Sequence, residues 1–443
     1  MKYQAYTLHS WHQMPQYELI PDSLKKEIEL TASVLPFKTN NYVVNELIDW
    51  SNFENDPIFI LNFPRKEMLE PQLYAQLVKA DEEQWSASKK KELVQDILHQ
   101  LNPNPSGQSH NVPFYNGSYL HGVQHKYNQT VLFFPSQGQT CHAYCTFCFR
   151  WPQFAGMSEL KFAMKESELL IGYLKEHKEV TDVLFTGGDP MTMSAKILKS
   201  YIEPLLGEGL EHIQTIRIGT KSLAYWPYRF LSDPDTQELM KLFEQVVLKG
   251  INLSFMAHFN HPAELSTSVV ESAIARLRGL GCQIRTQSPL LKHINDKPEI
   301  WAEMWRRQVN LNCIPYYMFV ERDTGAKSFF ELPLETCWNI FREAYQRVSG
   351  VCRTVRGPSM SANPGKIQIL GVTEVAGEKV FVLRFLQGRG AHWVAKPFFA
   401  KYDAKATWFD QLKPAFGEEH FFFEEELQQL ISHDQWEVEE DLE

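Results

Sequence analysis

Hydrophobic positions follow two different patterns along the chain, and the pattern changes near residue 110. Beyond that point, short runs rich in β-branched and aromatic residues alternate with longer amphipathic segments, which predicts strands alternating with helices. The predicted strands are VLFF (131–134), DVLFTG (182–187), TIRIGT (215–220), NLSFMAHF (252–259), QIRTQS (283–288) and IPYYMFV (314–320). Such alternation is typical of an α/β fold in which crossover helices join parallel strands. Six units fit a partial, TIM-like (β/α)6 barrel better than a complete barrel of eight.

The segments between these strands have the apolar spacing of helices. The clearest are ESELLIGYLKEHKE (166–179), SAKILKSYIEPLL (194–206), DTQELMKLFEQVVLKG (235–250) and STSVVESAIARLRGLG (266–281). In barrels of this kind the chemistry gathers where the strands end. The loops that follow the strands are therefore predicted to carry the functional residues.

Three regions follow from these patterns. Residues 1–110 are predicted to form a helical N-terminal region, in which SASKKKELVQDILHQLN (86–102) combines a serine cap with helical spacing. The segment NPNPSGQSHNV (102–112) has the composition of a linker. Residues 111–375 are predicted to form the barrel, and residues 376–443 a small C-terminal extension. That extension finishes with HFFFEEELQQLISHDQWEVEEDLE, which predicts a solvated acidic helix.

Composition narrows the class of protein. The 443 residues are 44% hydrophobic and 22% charged, which indicates a globular chain. A formal net charge of -10 argues against broad nucleic-acid binding. The first residues carry no apolar signal segment, and no apolar run is long enough to span a membrane, so we expect a cytoplasmic protein. Reduced thiols are the rule there, and four scattered cysteines are predicted to be small buried side chains: Cys282, Cys313, Cys337 and Cys352.

The other three cysteines lie close together in CHAYCTFCFRWPQ, with the spacing C-x3-C-x2-C. Thiolates are soft ligands that select zinc, copper(I) or iron–sulfur clusters. Structural zinc usually takes four protein ligands, but the nearest fourth candidate, His142, adjoins Cys141, and no second C-x2-C pair exists. Cys141, Cys145 and Cys148 therefore favour three irons of a cubane cluster, with the fourth iron open, over zinc or unligated thiols.

This cysteine motif, with Phe147 just before its third cysteine, resembles that of the radical S-adenosylmethionine (SAM) superfamily. The resemblance implies a [4Fe-4S] cluster whose open iron binds SAM, and reductive cleavage of SAM to a 5′-deoxyadenosyl radical. TGGDP (186–190), at the end of the second predicted strand, is similar to the glycine-rich motif of that superfamily. Gly187 and Gly188 would let the backbone approach the methionine end of SAM. Phe147, Gly187, Gly188 and Asp189 are thus the expected SAM-binding residues.

Further segments narrow the resemblance to the lysine 2,3-aminomutase family. They occur in the family's order and are LPFKTNNYVVNELIDW, HKYNQTVLFF, DVLFTGGDP, IRIGTKSLAYWP, AHFNHPAEL, TQSPLLKHIND and IPYY. The resemblance implies pyridoxal phosphate (PLP) as a further cofactor, which forms an aldimine with the substrate. The adenosyl radical would then remove a β-hydrogen, and the amino group would migrate from the α-carbon to the β-carbon.

The resemblance also implies roles for individual residues. Arg150 matches the arginine that holds the substrate carboxylate, a role that suits a guanidinium group. Lys366, in SANPGKIQILG, matches the catalytic lysine that forms the resting Schiff base with PLP. His125, Lys126 and Tyr127 match a segment that lines the PLP site.

At three positions the family has charged side chains that bind the cofactor or the substrate. The arginine expected to bind the PLP phosphate falls at Thr130, which carries no charge. Asp296 matches one of two aspartates that bind the ε-ammonium of lysine, whereas the second falls at Ser359, with Arg356 nearby. Because one carboxylate compensates poorly for burying an ammonium, we expect an α-amino acid with another polar side chain, held by Asp296, and lysine as a poor substrate.

The sequence therefore predicts a radical SAM amino acid 2,3-aminomutase, an isomerase. Two alternatives stay open: a PLP-independent radical SAM enzyme that abstracts hydrogen from an amino acid or small metabolite, and an iron–sulfur protein without activity. The resemblance further implies an electron donor such as flavodoxin or ferredoxin and a homo-oligomer. No nucleic-acid or membrane partner is expected.

Overall fold

Strands form the centre of the molecule, which a computed structural model describes for residues 1–102, 111–154 and 163–431. In chain order they are β1 Ala5–Thr7, β2 Lys38–Asn40, β3 Phe114–Tyr115, β4 Ser118–Tyr119, β5 Val123–Tyr127, β6 Thr130–Phe133, β7 Asp182–Phe185, β8 Thr215–Thr220, β9 Asn252–His258, β10 Gln283–Leu290, β11 Ile314–Val320, β12 Arg356–Ser361, β13 Gly365–Val375, β14 Glu378–Gly388 and β15 Pro397–Lys401. Strands β5 to β15 form one eleven-stranded sheet, while β1 pairs with β2 and β3 pairs with β4.

The large sheet has its strands in the same order as the chain. Neighbouring strands from β6 to β12 are parallel. The antiparallel pairs are β5 with β6, β12 with β13, β13 with β14 and β14 with β15. The six predicted parallel strands are β6 to β11 and are confirmed. Sequence patterns did not predict β5, β12, β14 or β15, and their pairing makes the sheet mixed.

Helices connect the parallel strands and cover the sheet. Their bounds are α1 Asp22–Ala32, α2 Pro57–Asn62, α3 Pro71–Glu82, α4 Ala87–Gln100, α5 Ser167–Glu176, α6 Ala195–Ile202, α7 Ser222–Tyr225, α8 Thr236–Leu248, α9 Ser268–Gly279, α10 Pro298–Asn310, α11 Lys327–Phe330 and α12 Leu334–Gln346. The helices predicted before β7, β8, β9 and β10 are confirmed as α5, α6, α8 and α9. The predicted serine cap is Ser86, whose hydroxyl accepts a hydrogen bond from Lys89 N at 3.4 Å.

A single hydrogen bond shows that the sheet is curved. Lys126 Nζ, on β5, donates to the carbonyl oxygen of Ala362, just after β12, at 2.6 Å. In a flat sheet, strands that lie seven places apart would be separated by about 34 Å, at roughly 4.8 Å per strand. The two ends of the parallel region therefore bend towards each other. The fold is α/β with a large, mixed and curved sheet, and its description as a partial (β/α)6 barrel stays a prediction.

The C-terminal residues continue this sheet. The predicted boundary at residue 375 falls in the turn between β13 and β14, which are antiparallel neighbours. The division into three regions therefore stays a prediction. Residues 424–431 are helical, whereas the remainder of the predicted acidic helix and most of the predicted linker lie outside the described residues.

Aromatic side chains pack α10 and α12 together over the C-terminal strands. The Trp305 ring lies 6.1 Å from that of Phe341 and 6.0 Å from that of Tyr345. Burial of each large apolar side chain contributes about 1.5–3 kcal/mol, so this layer fixes the strands that follow it. Cys282, Cys313, Cys337 and Cys352 are buried, as predicted. Among the described helices, none has both the length and the apolar character that crossing a membrane requires.

Candidate active site

The cysteine motif lies in the loop after β6, and the N-terminal region holds its backbone. Tyr144 N donates to Lys38 O at 2.8 Å, and Thr146 N donates to Leu61 O at 2.9 Å. The Tyr3 hydroxyl donates to the carbonyl oxygen of His142 at 2.8 Å. Residues far apart in the sequence thus fix the conformation of a loop that forms no helix or strand of its own.

Cys141, Cys145 and Cys148 lie close enough to one another for their charges to interact. Burial raises the pKa of Cys141 well above its ordinary value, and the charges of Asp189, Cys148 and Cys145 raise it further. Burial also raises the pKa of Cys145 to about 12 and that of Cys148 to about 11. Without a positive partner these thiols would stay protonated, and the thiolate form needs compensating charge.

Each of the three thiols has a cation that opposes this increase in pKa. Lys38 acts on Cys141, Lys221 on Cys145 and Arg150 on Cys148. The three cations come from β2, from the end of β8 and from the cysteine loop itself. Their convergence suits three thiolates bound to one anionic cluster. Lys38 also donates to the carbonyl oxygen of Cys141 at 2.7 Å, which fixes its position.

A single metal ion does not suit this arrangement. Within the described ranges, no three His, Cys, Asp or Glu side chains converge as ligands of one ion, and zinc ligands must lie about 2.0–2.3 Å from the metal. His142 is turned away, because a 2.8 Å hydrogen bond joins its Nδ1 to the Ser222 hydroxyl. Burial lowers the pKa of His142 to about 3, so the imidazole is neutral there. The donor set fits a [4Fe-4S] cluster better than zinc.

The glycine-rich motif after β7 packs directly against the cysteine loop. A Cβ atom at Gly188 would lie no more than 2.7 Å from three backbone atoms of Thr140, the residue before Cys141. Asp189 N donates to the carbonyl oxygen of Thr140 at 2.7 Å. Gly187 has a φ of +137°, a conformation that other residues rarely adopt. Gly188 therefore allows a close approach of backbone to backbone, and Gly187 leaves room for the side chain of Gln139, beside the predicted SAM site.

The Asp189 carboxylate is buried, and its hydrogen bonds go to the protein. It accepts from the Thr220 hydroxyl at 2.8 Å, from Lys221 N at 2.9 Å and from the Ser222 hydroxyl at 2.9 Å. Asp189 thereby ties the end of β7 to the end of β8. The Phe147 ring is buried and lies 6.3 Å from the ring of Phe330. The assignments of Asp189 and Phe147 to SAM binding stay predictions.

We expect the substitution Gly188→Ala to lower both the iron content and the cleavage of SAM, by about tenfold or more. The added methyl group would push the Thr140 backbone, and with it Cys141, out of position, and overpacking of this kind costs about 1–3 kcal/mol. Iron and sulfide analysis and 5′-deoxyadenosine assays measure the effect. Gly279→Ala is the matched control, because nothing lies within 4 Å of its added Cβ atom. Normal values for both variants would contradict this role of Gly188.

Lys366 projects from β13 onto an aromatic surface formed by β11. Its ammonium lies 4.2 Å from the ring centre of Tyr317 and 5.6 Å from that of Phe319. Burial lowers the pKa of Lys366 to about 8, and the charges of Arg217 and Arg356 act in the same direction. An amine with this pKa is partly neutral near neutral pH, as a lysine that attacks a carbonyl group requires.

Two arginines near the cysteine loop carry buried N–H groups without acceptors. Arg150 lies over the ring of Phe134 at 4.5 Å and that of Phe149 at 5.3 Å, and its Nη1 has no hydrogen-bond partner among the described residues. Arg322 follows β11 and lies 5.3 Å from the same Phe149 ring, and its Nε is likewise without a partner in the described structure. Buried donors of this kind usually have an acceptor, so these two fit an anion supplied by a ligand.

Charge interactions link the cysteine loop to the lysine. Burial is the main cause that lowers the pKa of Arg150 to about 10. The charge of Arg322 acts in the same direction. Burial lowers the pKa of Lys126 well below its usual range, and the charges of Arg389, Arg322 and Lys366 lower it further. The predicted residues Arg150, Lys126 and Lys366 therefore belong to one positively charged region.

Tyr127 belongs to the same region. Burial raises the pKa of its phenol, and the charge of Tyr317 adds to this effect, whereas those of Arg389 and Arg322 oppose it. His125, in contrast, faces α5, because a 2.6 Å hydrogen bond joins its Nδ1 to the hydroxyl of Tyr173. Of the matched segment, Lys126 and Tyr127 thus face the positive region, and His125 does not.

Among the residues predicted to choose the substrate, Arg356 lies near Lys366, on whose pKa its charge acts. Asp296 is half-buried, and its carboxylate accepts a hydrogen bond from His293 N at 3.0 Å. Ser359 is fully buried, and its hydroxyl donates to the carbonyl oxygen of Met318 at 3.4 Å. Arg356 is exposed and lies 5.0 Å from the ring of Tyr316. The substrate-binding role of Asp296 stays a prediction.

Sequence reasoning missed four cations of the site. Lys38 and Lys221 lie in the segments that carry the family resemblance, but no role was assigned to them. Arg322 could have been found from its place directly after a predicted strand. Arg389 lies beyond the matched segments, and nothing in the sequence marked it.

Comparisons with known proteins agree with these features. No protein-family model matches the chain. A protein of Aquifex aeolicus (strain VF5), provisionally named an L-lysine 2,3-aminomutase, is 32% identical over 397 residues, which cover 89% of this chain and 92% of that protein. The L-lysine 2,3-aminomutase of Clostridium subterminale is 29% identical over 52% of this chain and 52% of its own length.

The comparison with solved structures gives partial matches to radical SAM enzymes. A radical SAM methyltransferase from Sphaerobacter thermophilus has a TM-score of 0.36 and 16% identity, over 55% of this chain and 68% of its own. Streptococcus suis SuiB bound to S-adenosylmethionine has a TM-score of 0.36 and 12% identity, over 70% of this chain and 69% of its own.

Proposed function

This chain belongs to the L-lysine 2,3-aminomutase family and is an enzyme of the isomerase type. We propose that it moves the α-amino group of an amino acid to the β-carbon. The proposal combines a radical SAM centre at the cysteine loop with PLP at Lys366. It also takes the curved sheet to be a partial (β/α)6 barrel, with both cofactors at the end where the parallel strands finish. The family membership supports the reaction type, and the positive region supports the positions of the ligands.

The residues of the cysteine loop fit the iron–sulfur centre. Cys141, Cys145 and Cys148 would hold the [4Fe-4S] cluster, with three cations to balance their thiolates. When bound, the cluster and SAM supply the radical that removes a hydrogen atom from the substrate. Gly187 and Gly188 would keep backbone, not side chains, against the methionine end of SAM. Asp189 would act through the ends of β7 and β8, whose relative position it fixes.

The residues around β13 fit PLP. Lys366 would bind the cofactor through its amine, and the rings of Tyr317 and Phe319 would form one wall of the site. When bound, PLP carries the amino group of the substrate during its migration. Burial keeps the Lys366 amine partly neutral, so it can exchange with the amine of an incoming amino acid.

One observation carries the proposal: Arg150 Nη1 is buried without a hydrogen-bond partner among the described residues. A substrate carboxylate would accept that hydrogen bond, and a charge-assisted bond is among the strongest that a protein makes. Arg150 follows Cys148 by two residues, so the substrate would lie beside the radical source. The amino group of the substrate would then face the region that contains Lys366.

Mass spectrometry of amino acids incubated with the reduced enzyme, SAM and PLP tests the proposal. A β-amino isomer of one amino acid, formed only when all three components are present, is the expected product. Borohydride should trap PLP on the protein and abolish that product. Cleavage of SAM in the presence of an amino acid, without binding of PLP, would instead indicate the PLP-independent radical enzyme. Thr130 favours this alternative, because it has no charge with which to bind the PLP phosphate.

We expect lysine to be converted at least about tenfold more slowly than the best substrate. A buried ammonium group needs compensating negative charge, and of the two family positions only Asp296 has a carboxylate. The other position is Ser359, whose hydroxyl is buried and bonded to the Met318 carbonyl oxygen. Lysine, arginine, glutamine and glutamate should be compared, with Asp296→Ala and Ser359→Ala as variants. Fast conversion of lysine that is abolished by Asp296→Ala and unchanged by Ser359→Ala would contradict this prediction.

A further inference from the structure

The phosphate group of PLP requires positive charge that Thr130 does not supply. The Thr130 hydroxyl donates to the Asp182 carboxylate at 3.2 Å. The same carboxylate accepts from Arg217 Nε at 2.8 Å and forms an ion pair with Arg217 Nη2 at 2.5 Å. Arg217 is therefore held in an ion pair with Asp182, although its charge still acts on Lys366, and a second source of positive charge lies elsewhere in the chain.

Arg389 reaches the lysine loop from the end of β14. Its backbone N–H donates to Pro364 O at 3.1 Å, and its Nε donates to Asn363 O at 3.2 Å. Its Nη2 donates to Asn363 Oδ1 at 3.3 Å and to Asn111 Oδ1 at 2.7 Å. Asn363 and Pro364 belong to the loop that precedes Lys366 in SANPGKIQILG. Two of these contacts use backbone carbonyl oxygens of the loop, and the Asn363 side chain adds a third.

Gly365 makes this close approach possible. A Cβ atom there would collide with the carbonyl oxygen of Gln387 and lie 2.9 Å from the Cα atom of Gly388. Without a side chain, Gly365 pairs directly with Gly388, so β14 delivers Arg389 to the loop that precedes Lys366. The backbone of Arg389 is thus held beside Pro364, two residues before Lys366.

Lys126 approaches the same loop from the opposite end of the sheet. Its ammonium donates to the carbonyl oxygen of Ala362 at 2.6 Å and has no carboxylate partner among the described residues. The charges of Arg389 and Lys366 both act on it. Lys126 and Arg389 therefore contact residues 362–364 from two sides, directly before the lysine that would bind PLP.

We propose that Arg389 and Lys126 bind the phosphate group of PLP and replace the charge that the family arginine would supply at Thr130. The inference rests on the proposed function, since it assumes that PLP binds at Lys366. Arg389, which follows β14, would then bind the PLP phosphate, a role that the family places near β6.

Parallel titrations with PLP and with pyridoxal, which lacks the phosphate, test the proposal. The reconstituted full-length protein is titrated, and imine absorbance and borohydride-trapped adduct are measured. Arg389→Met should raise the Kd for PLP by about 10–100-fold, as expected for loss of a charge-assisted hydrogen bond. The Kd for pyridoxal should change by less than about twofold. Lys126→Met should act in the same direction, and Arg389→Lys, which keeps the charge, should have a smaller effect than Arg389→Met.

Arg384→Met is the matched control, because Arg384 is also on β14 and donates to Gln368 Oε1 at 3.0 Å, away from Lys126. It should leave both Kd values unchanged. Circular dichroism and iron content should be normal in every variant that is compared. An unchanged Kd for PLP in Arg389→Met, or an equal loss for PLP and pyridoxal, would overturn the inference while leaving the aminomutase proposal intact. Absence of PLP binding by the unmodified protein would overturn both.

Discussion

Replacing Cys141, Cys145 and Cys148 together by alanine should abolish the cleavage of SAM. The three thiols interact with one another and with Lys38, Lys221 and Arg150, and without them no soft ligand is left at this position. Iron analysis of the reconstituted protein should fall from about four irons per chain to almost none. The formation of 5′-deoxyadenosine should fall by at least about a thousandfold, because radical generation depends on the cluster.

Cys352→Ala provides the control for this experiment. Cys352 is buried but lies after α12, and its thiol is 3.7 Å from the Ser349 hydroxyl. This variant should retain iron, sulfide and SAM cleavage. A triple variant with a normal [4Fe-4S] spectrum would show that the cysteine loop is not the ligand set.

Lys366→Ala should eliminate the imine absorbance and lower the amino migration by at least about a thousandfold, as expected when a covalent catalytic group is lost. SAM cleavage without substrate and the iron content should be unchanged, because the charged groups that act on Lys366 are Tyr316, Arg217 and Arg356 and include no cysteine thiol. Lys379→Ala is a suitable control. Its ammonium also lies over a tyrosine ring, 3.5 Å from the centre of Tyr402, but is exposed and paired with Glu335.

The uptake of PLP should also depend on pH in a way that an exposed lysine would not show. Burial lowers the pKa of Lys366 to about 8, so the reactive neutral amine increases as the pH rises through 8. An ordinary lysine would require a pH near about 10.4. The initial rate of imine formation should therefore reach half its maximum near pH 8. A midpoint near 10 would contradict the buried position of Lys366, and an imine that persists in Lys366→Ala would assign the cofactor to another lysine.

Local patterns predicted the part of the fold that depends on neighbouring residues. The bounds of β8 and β11 agree with the predicted runs because each combines β-branched or aromatic residues with clear flanking breaks. The cysteine motif and the glycine motif were selected from close spacing in the sequence, and the structure packs them together, while their roles stay predictions. The hydrogen bonds of the Asp189 carboxylate were not predicted, because its partners come from another strand.

Features that arise from long-range pairing were not visible in the sequence. Strand β14 carries Arg389 to the lysine loop by pairing with β13, and a contact between Lys126 and Ala362 joins residues 236 positions apart. Periodicity within one segment contains no information about such partners. The basic region is therefore a product of sheet curvature, which no single motif encodes.

Strand order in the large sheet has a consequence for how the enzyme is made. Because the order along the sheet equals the order along the chain, each newly synthesised strand can join the edge that is already present. The hydrogen bonds described for the cysteine loop come from residues no later than Ser222, whereas Lys366 and Arg389 follow much later. A growing chain can thus make these hydrogen bonds to the cysteine loop before Lys366 and Arg389 are synthesised, whereas the packing of Phe330 against Phe147 must follow later.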